Sequence, residues 1–214
     1  MQGKPKLKKM KKLFLASIVS NTIEKLIEIL PGSSDKLAVA FIPTAADPYE
    51  DKWFVDEDRD KLKEKGFNVK DVDIKGKTEQ ELLEELKDVD IIFVAGGNTF
   101  YLLEKSRESG FDKIVKELIQ KGVIYVGSSA GATLAGPDIE PIKTLDDPSK
   151  APSLKSFNGL NLVDFIILPH FEEKNRKEYG EIIRENSEKG YKLIILTDNQ
   201  AVVVEDEEFK IVEK

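Results

Sequence analysis

The sequence predicts an α/β fold built on a mostly parallel sheet flanked by helices, with antiparallel strands at the C-terminal end. Three observations carry this. Short apolar runs alternate with longer charged segments of helical period; glycine turns stand between such runs and the helical segments after them; and the chain closes in apolar runs that read as strands.

In chain order, the apolar run 12–16 precedes a helical pattern at 22–30, and 37–43 precedes 49–65. The pattern repeats with 69–74 before 79–86 and 89–95 before 100–108. Further strands are expected at 123–127, 165–168, 193–196 and 201–204, the last with a hairpin partner at 209–212. The charged stretch Glu172, Glu173, Lys174, Arg176 and Lys177 reads as the start of a helix. Only 136–159 breaks the rhythm, being rich in Pro, Asp, Ser and Lys and without periodicity. Loops of that length in compact domains are often functional, although a mobile excursion would have the same composition.

The 214 residues are enough to bury a core without disulfides, and no repeat or linker divides them. Residues 1–9 read as a basic tail and 10–214 as a single α/β domain. Lys4, Lys6, Lys8, Lys9, Lys11 and Lys12 precede the apolar run 13–19, which is shorter than a secretory signal core. No stretch approaches the ~20 apolar residues of a membrane helix, so a cytoplasmic protein is expected. The net charge of −7, with basic and acidic residues interleaved, argues against a nucleic-acid partner. Composition leaves the oligomeric state open and is compatible with a homodimer. The chain has no cysteine, which excludes a thiolate metal site and a thiol nucleophile; any nucleophile is an oxygen or an amine.

The strongest chemical signal is Gly127-Ser128-Ser129-Ala130-Gly131, which follows the buried-strand pattern 123–126 and leads into small residues suited to a tightly packed helix. That is the context of a nucleophile elbow, with Ser129 exposed at a helix N-terminus where amides and dipole favour negative charge. A second glycine turn, Ala95-Gly96-Gly97-Asn98-Thr99, also links a strand to a helix. If the two turns are neighbours, the N–H groups of Gly97 and Ala130 would hold the oxyanion of an acyl-transfer intermediate. Asn98 is a candidate substrate contact there, or simply the helix cap. Neither turn carries the full signature of a phosphate-binding loop.

The single histidine, His170, follows a predicted strand at the edge where open parallel sheets place their sites. It is the only imidazole available to Ser129. Two acids compete to orient it: Asp198, at the end of the predicted strand 192–197 and favoured on geometry, and Asp146, in the irregular loop. Arg176 is a candidate grip for a substrate carboxylate, against the plainer reading of a solvated helix face.

Three segments together resemble the dipeptidase E family of alpha-aspartyl serine peptidases. They are Ala95-Gly96-Gly97-Asn98-Thr99-Phe100 with its following leucines, the stretch from Gly127 to Pro137, and Pro169-His170-Phe171. The resemblance implies a glutamine-amidotransferase-like three-layer α/β fold, no metal or cofactor, and cleavage of short peptides after an N-terminal aspartate. It places the nucleophile on Ser129 and the histidine on His170, and leaves the acid between Asp146 and Asp198. Ser128 stands where better-known members carry a bulky aromatic, and the region after His170 also departs from their pattern. Both departures loosen the aspartyl specificity and leave the hydrolase assignment in place. Two alternatives stand beside it: a cyanophycinase-like or other peptidase or amidase of different specificity, and a non-catalytic small-ligand-binding protein on the same fold.

Overall fold

Residues 10–214 are described by the computed structural model; the predicted tail 1–9 lies outside them. Five strands run parallel: β1 (Lys12–Ala16), β2 (Ala38–Ile42), β3 (Asn68–Asp71), β4 (Ile91–Val94) and β5 (Ile124–Ser128). The strands β6 (Ile166–Leu168) and β7 (Leu193–Ile195) pair with each other as a separate two-stranded parallel sheet, rather than extending the main one. Finally β8 (Gln200–Glu205) and β9 (Glu208–Glu213) form the expected hairpin, with β8 antiparallel to β1. The main sheet has the order β3-β2-β4-β5-β1-β8-β9.

The central strands are apolar along most of their length, with Lys12 and Ser128 at strand ends, because both faces are covered, as parallel sheets require. Leu13, Leu15, Ile92, Val94 and Tyr125 face one core, while Phe14, Ala16, Ile91, Phe93 and Val126 face the other. Helices α1 (Val19–Glu28) and α2 (Trp53–Glu64) cover the second face through Ile23, Leu26, Val55 and Leu62. The first face is covered by α3 (Glu79–Leu86), α4 (Thr99–Ser109), α5 (Phe111–Gln120) and α6 (Ala130–Leu134), joined by α7 (Arg176–Ser187) beside β6. The result is three layers, helix, sheet and helix. Each fully buried Leu, Ile, Val or Phe contributes roughly 1.5–3 kcal/mol, so these two cores are the main stabilising term. Among the described residues no helix is long and apolar enough to cross a membrane.

The helix α5 was not among the sequence expectations: Gly110, at φ 76°, lets the chain end α4 and start a second helix at once. The segment 136–159 holds no long element, yet it is tied down. Arg107 donates to the carbonyls of Ser156 and Asn158 at 2.6 Å each, Ser153 N donates to Glu104, and Asp138 bridges to Asn158. It lies as a flap over α4.

Strand register sets the working edge. Ala16 is level with Ser128 in one pair, and Val94 is level with both Ile42 and Gly127 in others. The residues immediately after these strands, Ser17, Ala95 to Gly97 and Ser129, therefore gather on one rim. Because β8 runs the opposite way, its start lies at that same rim, and Asp198 comes with it.

Candidate active site at the carboxyl rim

The turn from β5 into α6 is tight. Ser129 sits at φ 50°, ψ −109°, a backbone state that costs about 1–3 kcal/mol for a residue with a Cβ. Its N–H is held by the Ala16 carbonyl at 3.0 Å. The two flanking glycines have steric reasons. A Cβ on Gly127 would lie 2.5 Å from the Gly131 carbonyl carbon, and one on Gly131 would lie 2.1 Å from the Val94 oxygen. Only backbone without side chains lets α6 press against β4 and β5 this closely.

His170 follows β6 and reaches across to Ser129, with Nε2 at 2.8 Å from the serine Oγ. Its Nδ1 lies 2.7 Å from Oδ1 of Asp198. Like Ser129, His170 holds a positive φ, here 65°. Neighbours secure it: Asn175 Nδ2 donates to the His170 carbonyl at 3.0 Å, and the Tyr179 hydroxyl donates to the carbonyl of Pro169. The hydrogen bond from His170 holds the Asp198 carboxyl below its usual range, and one from Ser17 adds to it. Asp198 is thus an anion beside an imidazole, and the histidine is oriented by a fixed negative charge.

Ser17 escaped the sequence reading. Fully buried at the end of β1, its Oγ accepts from His170 N at 2.8 Å and donates to Asp198 at 2.7 Å. One hydroxyl therefore links the backbone of the histidine to the side chain of its acid. The available signal was positional: Ser17 ends an apolar strand just as the glycine turns do.

The other candidates divide. Gly97 and Ala130 both line the cavity beside Ser129, and among the described residues their N–H groups donate to no protein acceptor. Gly97, at φ 140°, is required by packing, since a Cβ would lie 2.2 Å from the Ala45 carbonyl oxygen. Asp146 is not brought to His170. Its carboxylate accepts from Thr99 N at 2.7 Å, at the start of α4, because the flap seats it over the glycine turn. Asn98 is buried and caps α4 by accepting from Tyr101 N at 2.8 Å, while its amide donates to the Asp147 carbonyl. Asn98 therefore acts as the helix cap and does not line the cavity. Arg176 points to solvent in a two-point pair with Glu173, at 2.6 and 2.7 Å, and does not line the cavity. The solvated-face reading replaces the carboxylate grip, because Glu173 one turn earlier on the same surface occupies the guanidinium.

The cavity holds ≈ 540 Å³, enough for a short peptide or small ligand. Its walls include Tyr49, Trp53 and Phe54 on one side and Ile142, Leu145 and Asp146 of the flap on another. Beneath Ser129, Asp58 of α2 is almost wholly buried, accepts from Ser20 N at 2.8 Å and hydrogen-bonds Ser128. The Ser128 hydroxyl also accepts from Val19 N at 3.2 Å, so the floor under the nucleophile is polar.

Burial pushes the Asp58 carboxyl up to about 6. The native protein then keeps a proton that the unfolded chain, with a carboxyl near 3.8, has already released. Stability carried by this group is full below about pH 4 and is lost as pH rises through about 6, by about 3 kcal/mol for a shift of this size. Asp58→Asn is expected to remove that fall. Calorimetric melting temperatures between about pH 4.5 and 7 should decline less in the variant than in the wild type.

An α/β fold that presents a hydroxyl, an imidazole and a carboxylate in one hydrogen-bonded chain, within a cleft at the sheet's carboxyl rim, defines the serine-type hydrolase class. The chain belongs to peptidase family S51, whose model matches residues 14–212, and it is a serine-type peptidase. It is 35% identical over 199 residues to the "Uncharacterized peptidase Lin0382" of Listeria innocua, covering 93% of this chain and 95% of that protein. Peptidase E of Salmonella arizonae is 43% identical over 89 residues, which is 42% of this chain and 37% of that protein. Among solved structures, a Listeria monocytogenes EGD-e protein described as a "Putative Peptidase E Protein" superposes with a TM-score of 0.88 at 32% identity. That match covers 96% of this chain and 99% of its counterpart.

Proposed function

We propose that this protein hydrolyses short peptides by acyl transfer through Ser129, with His170 as the general base and Asp198 as the group that orients it. The observation that carries this reading is the unbroken chain from Ser129 Oγ to His170 Nε2 at 2.8 Å and from His170 Nδ1 to Asp198 Oδ1 at 2.7 Å. With a proton on Nδ1, the lone pair of Nε2 faces the serine. It takes the hydroxyl proton as Oγ attacks the scissile carbonyl, and the imidazolium forms beside ionised Asp198.

The developing oxyanion meets the amide of Gly97 in the turn after β4 and that of Ala130 in the nucleophile elbow, each worth roughly a hundred- to a thousandfold in turnover. His170 then gives its proton to the departing amine, leaving an ester on Ser129. Water, deprotonated by the same imidazole, attacks the ester and returns the free enzyme. The cavity volume and the wall that the flap adds to it support a short peptide rather than a protein chain.

Reaction with a small organophosphorus serine probe, followed by peptide mass mapping, tests the reading. Ser129 is expected to be modified in the wild type and unmodified in His170→Ala. A folded wild type that resists probes of several sizes would overturn it.

A further inference from the structure

An N-terminal aspartate would need a cation near the nucleophile, and the cavity offers carboxylates instead. Glu57 and Asp58 from α2, Asp146 from the flap and Asp198 all line it, while no Lys or Arg does among the described residues. Arg176 is held by Glu173 outside it. Lys174, the cation whose charge reaches Asp198, is itself paired with Glu172 at 2.8 Å.

The uncharged part of the wall is aromatic. The rings of Tyr49 and Trp53 each meet Phe54 edge-on with centroids 6.0 Å apart, forming a continuous shelf. Trp53 is 61% exposed at the lip of the cavity, an unusual position for the largest apolar side chain unless it is covered in use. Trp53 and Phe54 share the first turns of α2 with Glu57, and all three line the cavity, so a group lying on the rings also lies in the field of Glu57.

We propose, resting on the peptidase reading above, that this site selects short peptides with a bulky, uncharged, foremost aromatic, N-terminal residue and a free α-ammonium, and excludes N-terminal aspartate. The side chain stacks on the Trp53 and Phe54 shelf. The ammonium is drawn by Glu57 and Asp146, and the side-chain carboxylate of an N-terminal aspartate, standing where the aromatic ring would lie, meets like charge on two walls. Burial already holds the Asp146 carboxyl above its ordinary range, so the cavity resists further negative charge.

The test measures kcat/KM of the full-length protein for Phe-Leu, Leu-Leu, Asn-Leu, Asp-Leu and N-acetyl-Phe-Leu, with probe labelling of Ser129 run in parallel. Phe-Leu is expected to exceed Asp-Leu by about 100-fold or more, the size that like-charge juxtaposition produces. N-acetylation should cost about tenfold, chiefly in KM. In Glu57→Lys the ratio of Phe-Leu to Asp-Leu should narrow by about tenfold or more, through KM. Asp-Leu turned over as well as Phe-Leu, with Ser129 still labelled, would overturn the selectivity and leave the hydrolase standing. Absence of both labelling and turnover would bring down the two together.

Discussion

Replacing Ser129 or His170 by alanine is expected to lower kcat/KM for the best dipeptide by at least about 10⁴-fold, and the double replacement to cost no more than either alone, because the two act as one unit. Asp198→Asn should lose about 10³- to 10⁴-fold, since an amide cannot carry the charge that stabilises the imidazolium and favours the wrong tautomer. Asp146→Asn separates the two acids. Its carboxylate serves Thr99 N and not His170, so kcat should stay within about tenfold while stability falls by about 1 kcal/mol through the weakened start of α4. Ser17→Ala should fall between these cases, at about 10- to 100-fold in kcat with KM nearly unchanged. It strands the His170 amide and removes one hydrogen bond from Asp198, a loss of about 1–3 kcal/mol. Steady-state kinetics on the set, beside thermal melts to confirm folding, decides the assignment. An Asp146→Asn loss as large as that of Asp198→Asn would refute it.

Gly131→Ala is expected to destabilise the protein strongly. The new methyl would lie 2.1 Å from the Val94 oxygen and 2.8 Å from its carbonyl carbon, both backbone atoms of a central strand with no freedom to retreat. Overpacking of this kind costs about 3 kcal/mol, which in a chain of this length lowers Tm by about 10 °C. Gly180→Ala is the control. Nothing lies within 4 Å of its added Cβ, and it stands inside α7. There alanine should stabilise by about 0.5–1 kcal/mol through helix propensity. Calorimetry on both variants distinguishes a steric role for Gly131 from a general preference for glycine; equal melting temperatures would refute the steric one.

The strands that build the rim were legible because their cause is local. The runs at 12–16, 37–43 and 89–95 are apolar but for Lys12 and Asp90 near their starts, as strands covered on both faces must be, and the structure places β1, β2 and β4 within them. Ser129 was legible for a related reason, since the steric demands of its turn are written in the two glycines beside it. His170 stood out by being the only histidine. The helix α5 was missed because Gly110 joins two helices without the polar break that separates elements elsewhere. The strands at 165–168 and 193–196 were recognised, but not that they would leave the main sheet and pair with each other.

The choice between Asp198 and Asp146, the part played by Ser17, and the chemistry of the cavity wall are of a different kind. Asp198 reaches the imidazole because β8 lies antiparallel to β1, which brings the start of a late strand to the end of the first. Ser17 meets Asp198 across 181 residues of chain and His170 across 153. Periodicity and turn chemistry are properties of neighbours in sequence, set by sterics over a few residues. Contacts at such separations depend on strand order and register, which the packing of two cores establishes for the chain as a whole.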